Sequence, residues 1–328
     1  MRKNLSKKNI VVIGGGTGVF VVLSSLKNYP CHLSAIVTMA DDGGSSGRLR
    51  EEFGILPPGD VRKALVALSR SDNRILSELF NYRFPGERFQ MGVGLDGHNL
   101  GNLFLTALEQ ISGSFKKAVE EAGKILNIKG RVIPVTLNQT HLVAELENGA
   151  IIYGETHIDI PKHNPRLRIK KIWLQPAAKV NPDAKKAIET ADLIVIGPGD
   201  LYTSVLPNLL VKGLKTAIQK SRAKKLYIVN IMTKYGETNH FQASNFVAEI
   251  EKYLGRGALS HVLVNIERPD AKRLKKYREE KAEFVEFDGE SLKNFPYKII
   301  KAKILRPRGL LRHDFCKLAR VLWNLVFS

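Results

Sequence analysis

Apolar and polar positions alternate in blocks along this chain. NIVVI at 9–13 is a nearly continuous apolar run, the pattern of a buried parallel strand. GGGTG at 14–18 reads as a turn, and VFVVLSSLKN at 19–28 as a helix with a mostly apolar face. HLSAIVTM at 32–39 is a second strand. Together they make a βαβ unit, which the right-handed crossover rule places in a parallel sheet. GDVRKALVALS at 59–69 predicts a helix with Asp60 as N-cap after Pro57, Pro58 and Gly59. Further helices are expected at 74–81, 98–112 and 114–127.

The pattern changes between about 130 and 178. RVIPVT, HLVAELENGAIIYGETHID and RIKKIWLQPA read as short strands, and ENG at 147–149 is a hairpin signal. Alternation then resumes. PDAKKAIETA, LPNLLVKGLKTAIQKS and HFQASNFVAEIEKYLG read as helices, with DLIVIG, KLYIVNI and ALSHVLVNI as strands between and after them. DFCKLARVLWNLVF at 314–327 has helical apolar spacing and is expected to dock on the core. The expectation is one domain over 1–328. Its fold class is α/β, a doubly wound, Rossmann-like, mostly parallel sheet with an antiparallel β-rich insert.

Composition changes this picture in two ways. The net charge is +19 (51 Lys and Arg against 32 Asp and Glu), which favours anionic partners or simply a solvated basic surface. The cations are spread from Arg2 and Lys3 to Arg306, Arg308 and Arg312, with no long basic run of the nucleic-acid-tail type. No recognition-helix, RNP or zinc motif accompanies them, so nucleic acid is not an expected partner. The two cysteines, Cys31 and Cys316, exclude a disulfide framework and fit a reducing cytoplasm. The basic, apolar start imitates a signal peptide, but three consecutive glycines interrupt it and it reads as strand, turn and helix. No apolar stretch is long enough for a membrane span.

Ligands of open parallel sheets bind beyond the carboxyl ends of the strands. Three glycine-rich loops fall there. Gly14, Gly16 and Gly18 allow backbone amides to approach a phosphate at a helix N-terminus, although the spacing is not G-x-G-x-x-G. ADDGGSSGRLR adds Asp41 and Asp42, placed to meet a ribose hydroxyl or to hold magnesium. The same loop adds Gly43, Gly44, Ser45, Ser46 and Gly47, and Arg48 and Arg50 as phosphate partners. IGPGDLYTS repeats the theme with Gly197, Gly199, Asp200, Tyr202, Thr203 and Ser204. Asp60, Arg62 and Lys63 in one helix start, His98, Asn99 and Asn102 in another, and Asn230 and Thr233 after a strand join the same edge. Singly these are turns and caps; together they mark a site.

IGGGTG, ADDGGSSGRLR, PPGDVRKALVAL, GHNLGNL, GETHID, ADLIVIGPGDLYTSVLPNLLV, NIMTKYGET and RHDFCKLA, in this order, resemble the YvcK or gluconeogenesis factor proteins of the CofD/YvcK superfamily. The resemblance implies a cytoplasmic protein that binds UDP-sugars, chiefly UDP-N-acetylglucosamine. It also implies links to cell shape, cell-wall precursor supply and growth on gluconeogenic carbon. It places Gly15, Gly16, Thr17, Gly18, Asp41 and Asp42 at the nucleotide. Ser45, Ser46 and Arg48 fall near phosphate or sugar, and Asn99, Asn102, Gly199, Asp200 and Tyr202 close the site. Arg312 is the late cation for the diphosphate. No catalytic residue and no resident cofactor are implied for this branch, with Mg2+ the candidate ion and Asp42 its candidate ligand. A regulatory protein partner and a homo-oligomer complete the expectation. The CofD branch offers the alternative, a magnesium-dependent transferase using a nucleotide-activated, phospholactate-type substrate. A dinucleotide oxidoreductase has only the Rossmann-like start in its favour.

Overall fold

The computed structural model describes residues 7–70, 74–85 and 94–327, so Arg2 and Lys3 lie outside it. Its strands, in chain order, are β1 (Lys8–Gly14), β2 (Cys31–Val37), β3 (Arg131–Pro134), β4 (His141–Leu146), β5 (Ile151–Tyr153), β6 (Ile169–Gln175), β7 (Leu193–Ile196), β8 (Lys224–Ile228), β9 (His261–Asn265) and β10 (Lys298–Ala302). Seven of them form a sheet in the order β10-β9-β8-β7-β1-β2-β3, parallel at every pairing. The chain first builds outward from β1 to β3, then returns to lay β7 to β10 on the other side. The winding direction therefore reverses between β1 and β7, where Ile10 pairs with Leu193 and Ile13 with Ile196. Such a reversal opens a crevice beyond the strand ends.

The central strands β1, β7 and β9 carry unbroken apolar runs because helices cover both faces. Ile10, Val12, Ile13, Ile194, Val195 and Leu226 have no solvent exposure. Each buried aliphatic side chain contributes about 1.5–3 kcal/mol relative to exposure, and this continuous layer fixes the strand ends that carry the site. Helix Phe315–Phe327 closes the core by packing on helix Gly16–Leu26, with Trp323 against Tyr29 at 5.0 Å between ring centroids.

The β-rich excursion is a separate antiparallel sheet in the order β5-β4-β6, and the expected ENG turn joins β4 to β5. It starts later than expected. RVIP is β3, the parallel edge strand beside β2, not part of the insert. Its unbroken apolar centre, Val132, Ile133 and Pro134, is buried as a parallel strand requires. GETHID also departs from the expected strand, since Glu155–Asp159 is a short helix whose first amides are capped from a distance. LPNLLVKGLKTAIQKS is two helices, Leu206–Leu209 and Leu214–Lys220, divided at Gly213 with φ +96°. β10 was not anticipated. KIIKA is an edge strand whose lysines face solvent and hide its alternation.

Candidate functional site

The turns after β1 and β7 meet at the switch point. Gly14 ends β1, Gly15 occupies the cap position, and helix Gly16–Leu26 begins at once. Gly197 extends the ladder by donating its N–H to the Ile13 carbonyl at 2.9 Å. A Cβ on Gly18 would lie 2.0 Å from the Pro198 carbonyl oxygen, so only glycine lets the helix start approach this turn. Asn230, after β8, clasps the turn from the other side: its Nδ2 donates to the Gly199 carbonyl at 2.8 Å, and its Oδ1 accepts from the Gly199 N–H at 3.3 Å. These residues enclose a cavity of about 160 Å³ lined by Thr17, Gly18, Gly199, Asp200, Asn230 and Arg312, among others. His313 also lines it, buried, with Nε2 unpartnered and with burial lowering its pKa to about 4.

Beside that cavity lies a carboxylate niche. Asp60 is inside the first turn of helix Gly59–Leu68, and Pro58 takes the cap position in its place. Its Oδ1 accepts from the Gly16 N–H at 3.0 Å and from Lys63 Nζ at 3.1 Å. It therefore serves the start of the neighbouring helix, not its own. Gly15 permits the approach, since a Cβ there would stand 2.2 Å from Asp60 Oδ2. Asp41 accepts from the Gly43 N–H at 3.0 Å and is pushed up in pKa by burial and then by Asp60. Glu155 is raised to about 9 by burial first and then by Asp41, Asp159, Asp42 and Asp60. Lys63 is raised in turn, chiefly by Asp60. Lys63, Arg50 and Arg62 supply the nearby positive charge, yet burial and carboxyl–carboxyl repulsion still push Asp41 and Glu155 toward their protonated forms.

Asp42 is engaged differently. Its Oδ2 accepts from the Glu155 N–H at 3.0 Å and its Oδ1 from the Thr156 N–H at 2.8 Å, so both oxygens cap helix Glu155–Asp159. This helix carries Glu155 and Asp159 to the strand-end edge. Gly43 is the cap position of helix Gly44–Phe53 and Gly44 its first residue.

The remaining motif residues interlock as a buried scaffold. Ser45 Oγ lies 3.2 Å from His98 Nδ1 and accepts from the Asn99 N–H at 3.1 Å. Asn99 caps helix Leu100–Ser112 by accepting from the Asn102 N–H. Asn102 donates to Ser46 Oγ at 3.4 Å and accepts from Arg62 Nε at 3.1 Å. Arg62 also donates to Asn81 Oδ1 at 2.5 Å. Arg48 donates to the Asp96 carbonyl at 2.5 Å. Arg50 donates to Gln139 and to the Thr140 carbonyl. GSSGR, GDVRK and GHNLGN are therefore one hydrogen-bonded unit that holds Asp41 and Asp60 in place.

After β7, residues Leu201–Val205 form a single π-helical turn, a geometry frequent at functional sites. Tyr202 and Thr203 are buried there, and the Tyr202 N–H and Thr203 Oγ1 each donate to Glu237 at 3.1 Å. Lys234 bridges Asp159, Asp200 (3.1 Å) and Glu237 (3.5 Å). Burial would lower its pKa, but the three carboxylates raise it, so it stays charged. Asp159, Asp200 and Glu237 bring ligand atoms within 4.8 Å of one another, a spacing that could hold a metal ion, and the Lys234 ammonium stands among them. Glu155, Asp159, Lys234 and Glu237 were not singled out from sequence, although GETHID and NIMTKYGET contain them.

Comparison with known proteins bears on the family and the fold. The family model for 2-phospho-L-lactate transferase CofD matches residues 10–305. The gluconeogenesis factor of Bacillus subtilis is 43% identical over 322 residues, covering 98% of each chain. That of Halalkalibacterium halodurans is 44% identical, over 97% of this chain and 96% of its own. A crystal structure of a UPF0052-family protein from Bacillus halodurans superposes with a TM-score of 0.91 at 43% identity, covering 98% of this chain and all of that one. With the family model spanning the sheet and near full-length relatives sharing more than two residues in five, this chain belongs to the CofD/YvcK family, among the gluconeogenesis factors.

Proposed function

We propose that this protein is a cytoplasmic regulator that binds a nucleotide-activated sugar of the UDP-N-acetylglucosamine class. It would link cell-wall precursor supply, cell shape and growth on gluconeogenic carbon, and pass its state to a protein partner. The observation that carries the reading is the switch-point cavity between the β1 and β7 turns. Thr17 and Gly18, in the first turn of helix Gly16–Leu26, line this cavity, and a helix N-terminus favours a phosphate. Arg312 supplies the guanidinium suited to a diphosphate. Asp200 and Asn230 are the polar groups placed for ribose or base. A cavity of about 160 Å³ takes the diphosphate segment, with base and sugar along the strand-end rim. The test is calorimetric titration with UDP-N-acetylglucosamine, with and without Mg2+, with NAD and GDP as controls. Selective binding of the UDP-sugar with no product after long incubation supports the reading.

A second reading is a CofD-like transferase, favoured by the carboxylate niche. Burial and the neighbouring carboxyls, Asp60 among them, raise the pKa of Asp41 and Glu155 despite Lys63, Arg50 and Arg62 nearby, and Glu155 is pushed up to about 9. A magnesium ion there would displace the Glu155 proton and polarise a diphosphate leaving group. A strict Mg2+ requirement together with turnover in the same titration would favour it.

A further inference from the structure

On the opposite edge of the sheet, at the amino ends of β1, β2 and β3, lies a second and larger cavity of about 770 Å³. Its wall is cationic. Lys7 precedes β1, Lys27 follows helix Gly16–Leu26, and Arg70 follows helix Gly59–Leu68. Lys129 and Arg131 flank the turn into β3, and Lys186 sits on helix Pro182–Glu189. Among the described residues, no aspartate or glutamate lines the cavity. Among the described residues, none of these six forms an ion pair with a carboxylate.

Local stability does not explain the cluster. Cations near helix C-termini complement the macrodipole, and Lys27, Arg70 and Lys129 stand near such ends. Lys186 stands in the last turn of its helix as well, but Arg131 starts a strand and Lys7 precedes one. Among the described residues, the hydrogen bonds formed are to neutral partners: Lys27 Nζ donates to the Ser69 carbonyl at 2.8 Å and Lys129 Nζ to Asn28 Oδ1 at 3.0 Å. Burial, and then the charge of Lys129, lowers the pKa of Lys27, so the cations repel one another here.

We infer that this amino-edge cavity is a binding site for a small, multiply phosphorylated anion, distinct from the switch-point site. Five separate segments direct positive charge into one concavity, whereas a nucleic-acid surface would spread it along a stripe. The volume falls within the roughly 300–1,000 Å³ of small-molecule sites. The two cavities are joined by one element. Helix Gly16–Leu26 places Thr17 and Gly18 at the switch point, and Lys27 follows its far end.

The test is calorimetric titration of the full chain with inorganic triphosphate, carried out in an Arg312→Ala background so that a diphosphate locus at the switch point is disabled. One molecule of triphosphate should bind per chain. Lys129→Glu with Arg131→Glu, both at exposed positions, should weaken binding at least about tenfold, the loss of one charge-assisted contact. Lys7→Glu with Lys186→Glu should do the same, which guards against a folding defect in one pair. No binding, or binding that both pairs leave unchanged, overturns the inference. So does a short single-stranded oligonucleotide that binds far more tightly than triphosphate and with a steep salt dependence.

Discussion

Gly18→Ala places a methyl group where the two halves of the sheet meet. The added Cβ would lie 2.0 Å from the Pro198 oxygen, 2.4 Å from its carbonyl carbon and 2.8 Å from the Gly199 nitrogen. All three are backbone atoms and cannot swing aside as a side chain would. Restoring ordinary contact requires the turn to retreat by roughly 1.2 Å or more. That retreat strains the Asn230 clasp, whose two bonds to Gly199 are 2.8 and 3.3 Å. Overpacking costs about 1–3 kcal/mol, and each hydrogen bond lost adds about 1 kcal/mol. The sum is about 3 kcal/mol, or a fall in Tm of roughly 4 °C for a chain of this size. The cavity between the turns changes shape in the same step, so UDP-N-acetylglucosamine affinity should fall at least about tenfold. Differential scanning calorimetry and titration calorimetry read the two effects. A variant with wild-type Tm and wild-type affinity would refute the close approach on which the site is built.

Three further outcomes follow from the same geometry. Asp42→Ala removes both acceptors from the start of helix Glu155–Asp159 and should cost about 2 kcal/mol in urea unfolding. Asp42→Asn keeps one acceptor and should cost about half as much, an order that a purely ligand-binding Asp42 would not produce. Glu155 has its pKa raised from 4.5 to about 9, so the native state keeps a proton that the unfolded chain has released. Its contribution is fully present below about pH 4.5 and lost as pH rises toward 9. Glu155→Gln should therefore flatten the decline of Tm across that window, and an unchanged slope would remove Glu155 as its source. Lys234→Met leaves Asp159, Asp200 and Glu237 without their cation and should cost about 2–4 kcal/mol. Adding Glu237→Gln should recover part of that loss, which is measured by a double-mutant cycle.

The parallel sheet was legible because buried strands write themselves as unbroken apolar runs. NIVVI, LIVI and HVLVN could hardly be anything else between helical repeats. β3 was harder, since four residues beside an antiparallel insert carry no periodicity. The edge of the site was legible too, because glycines and like-charged acids at strand ends are unfavourable locally. Individual roles were less so. Asp60 resembles any N-cap, and only the tertiary placement of Gly16 shows whose amide it satisfies. Asp42 resembles a ligand beside Asp41, but its partners are 113 and 114 residues away. Lys234 and Glu237 sit in a loop whose meaning depends on two acids from elsewhere in the chain. Long-range pairing of this kind leaves no spacing signal in one sequence.

The proposed function turns most directly on where the ligand's diphosphate lies. A crystal structure of the protein with UDP-N-acetylglucosamine decides it. That structure should show diphosphate density beside Thr17 and Gly18 at the start of helix Gly16–Leu26, in the cavity they line with Gly199 and Asn230 and within reach of Arg312. Diphosphate density at the amino edge of the sheet, or well-occupied crystals with no density at the switch point, would contradict it.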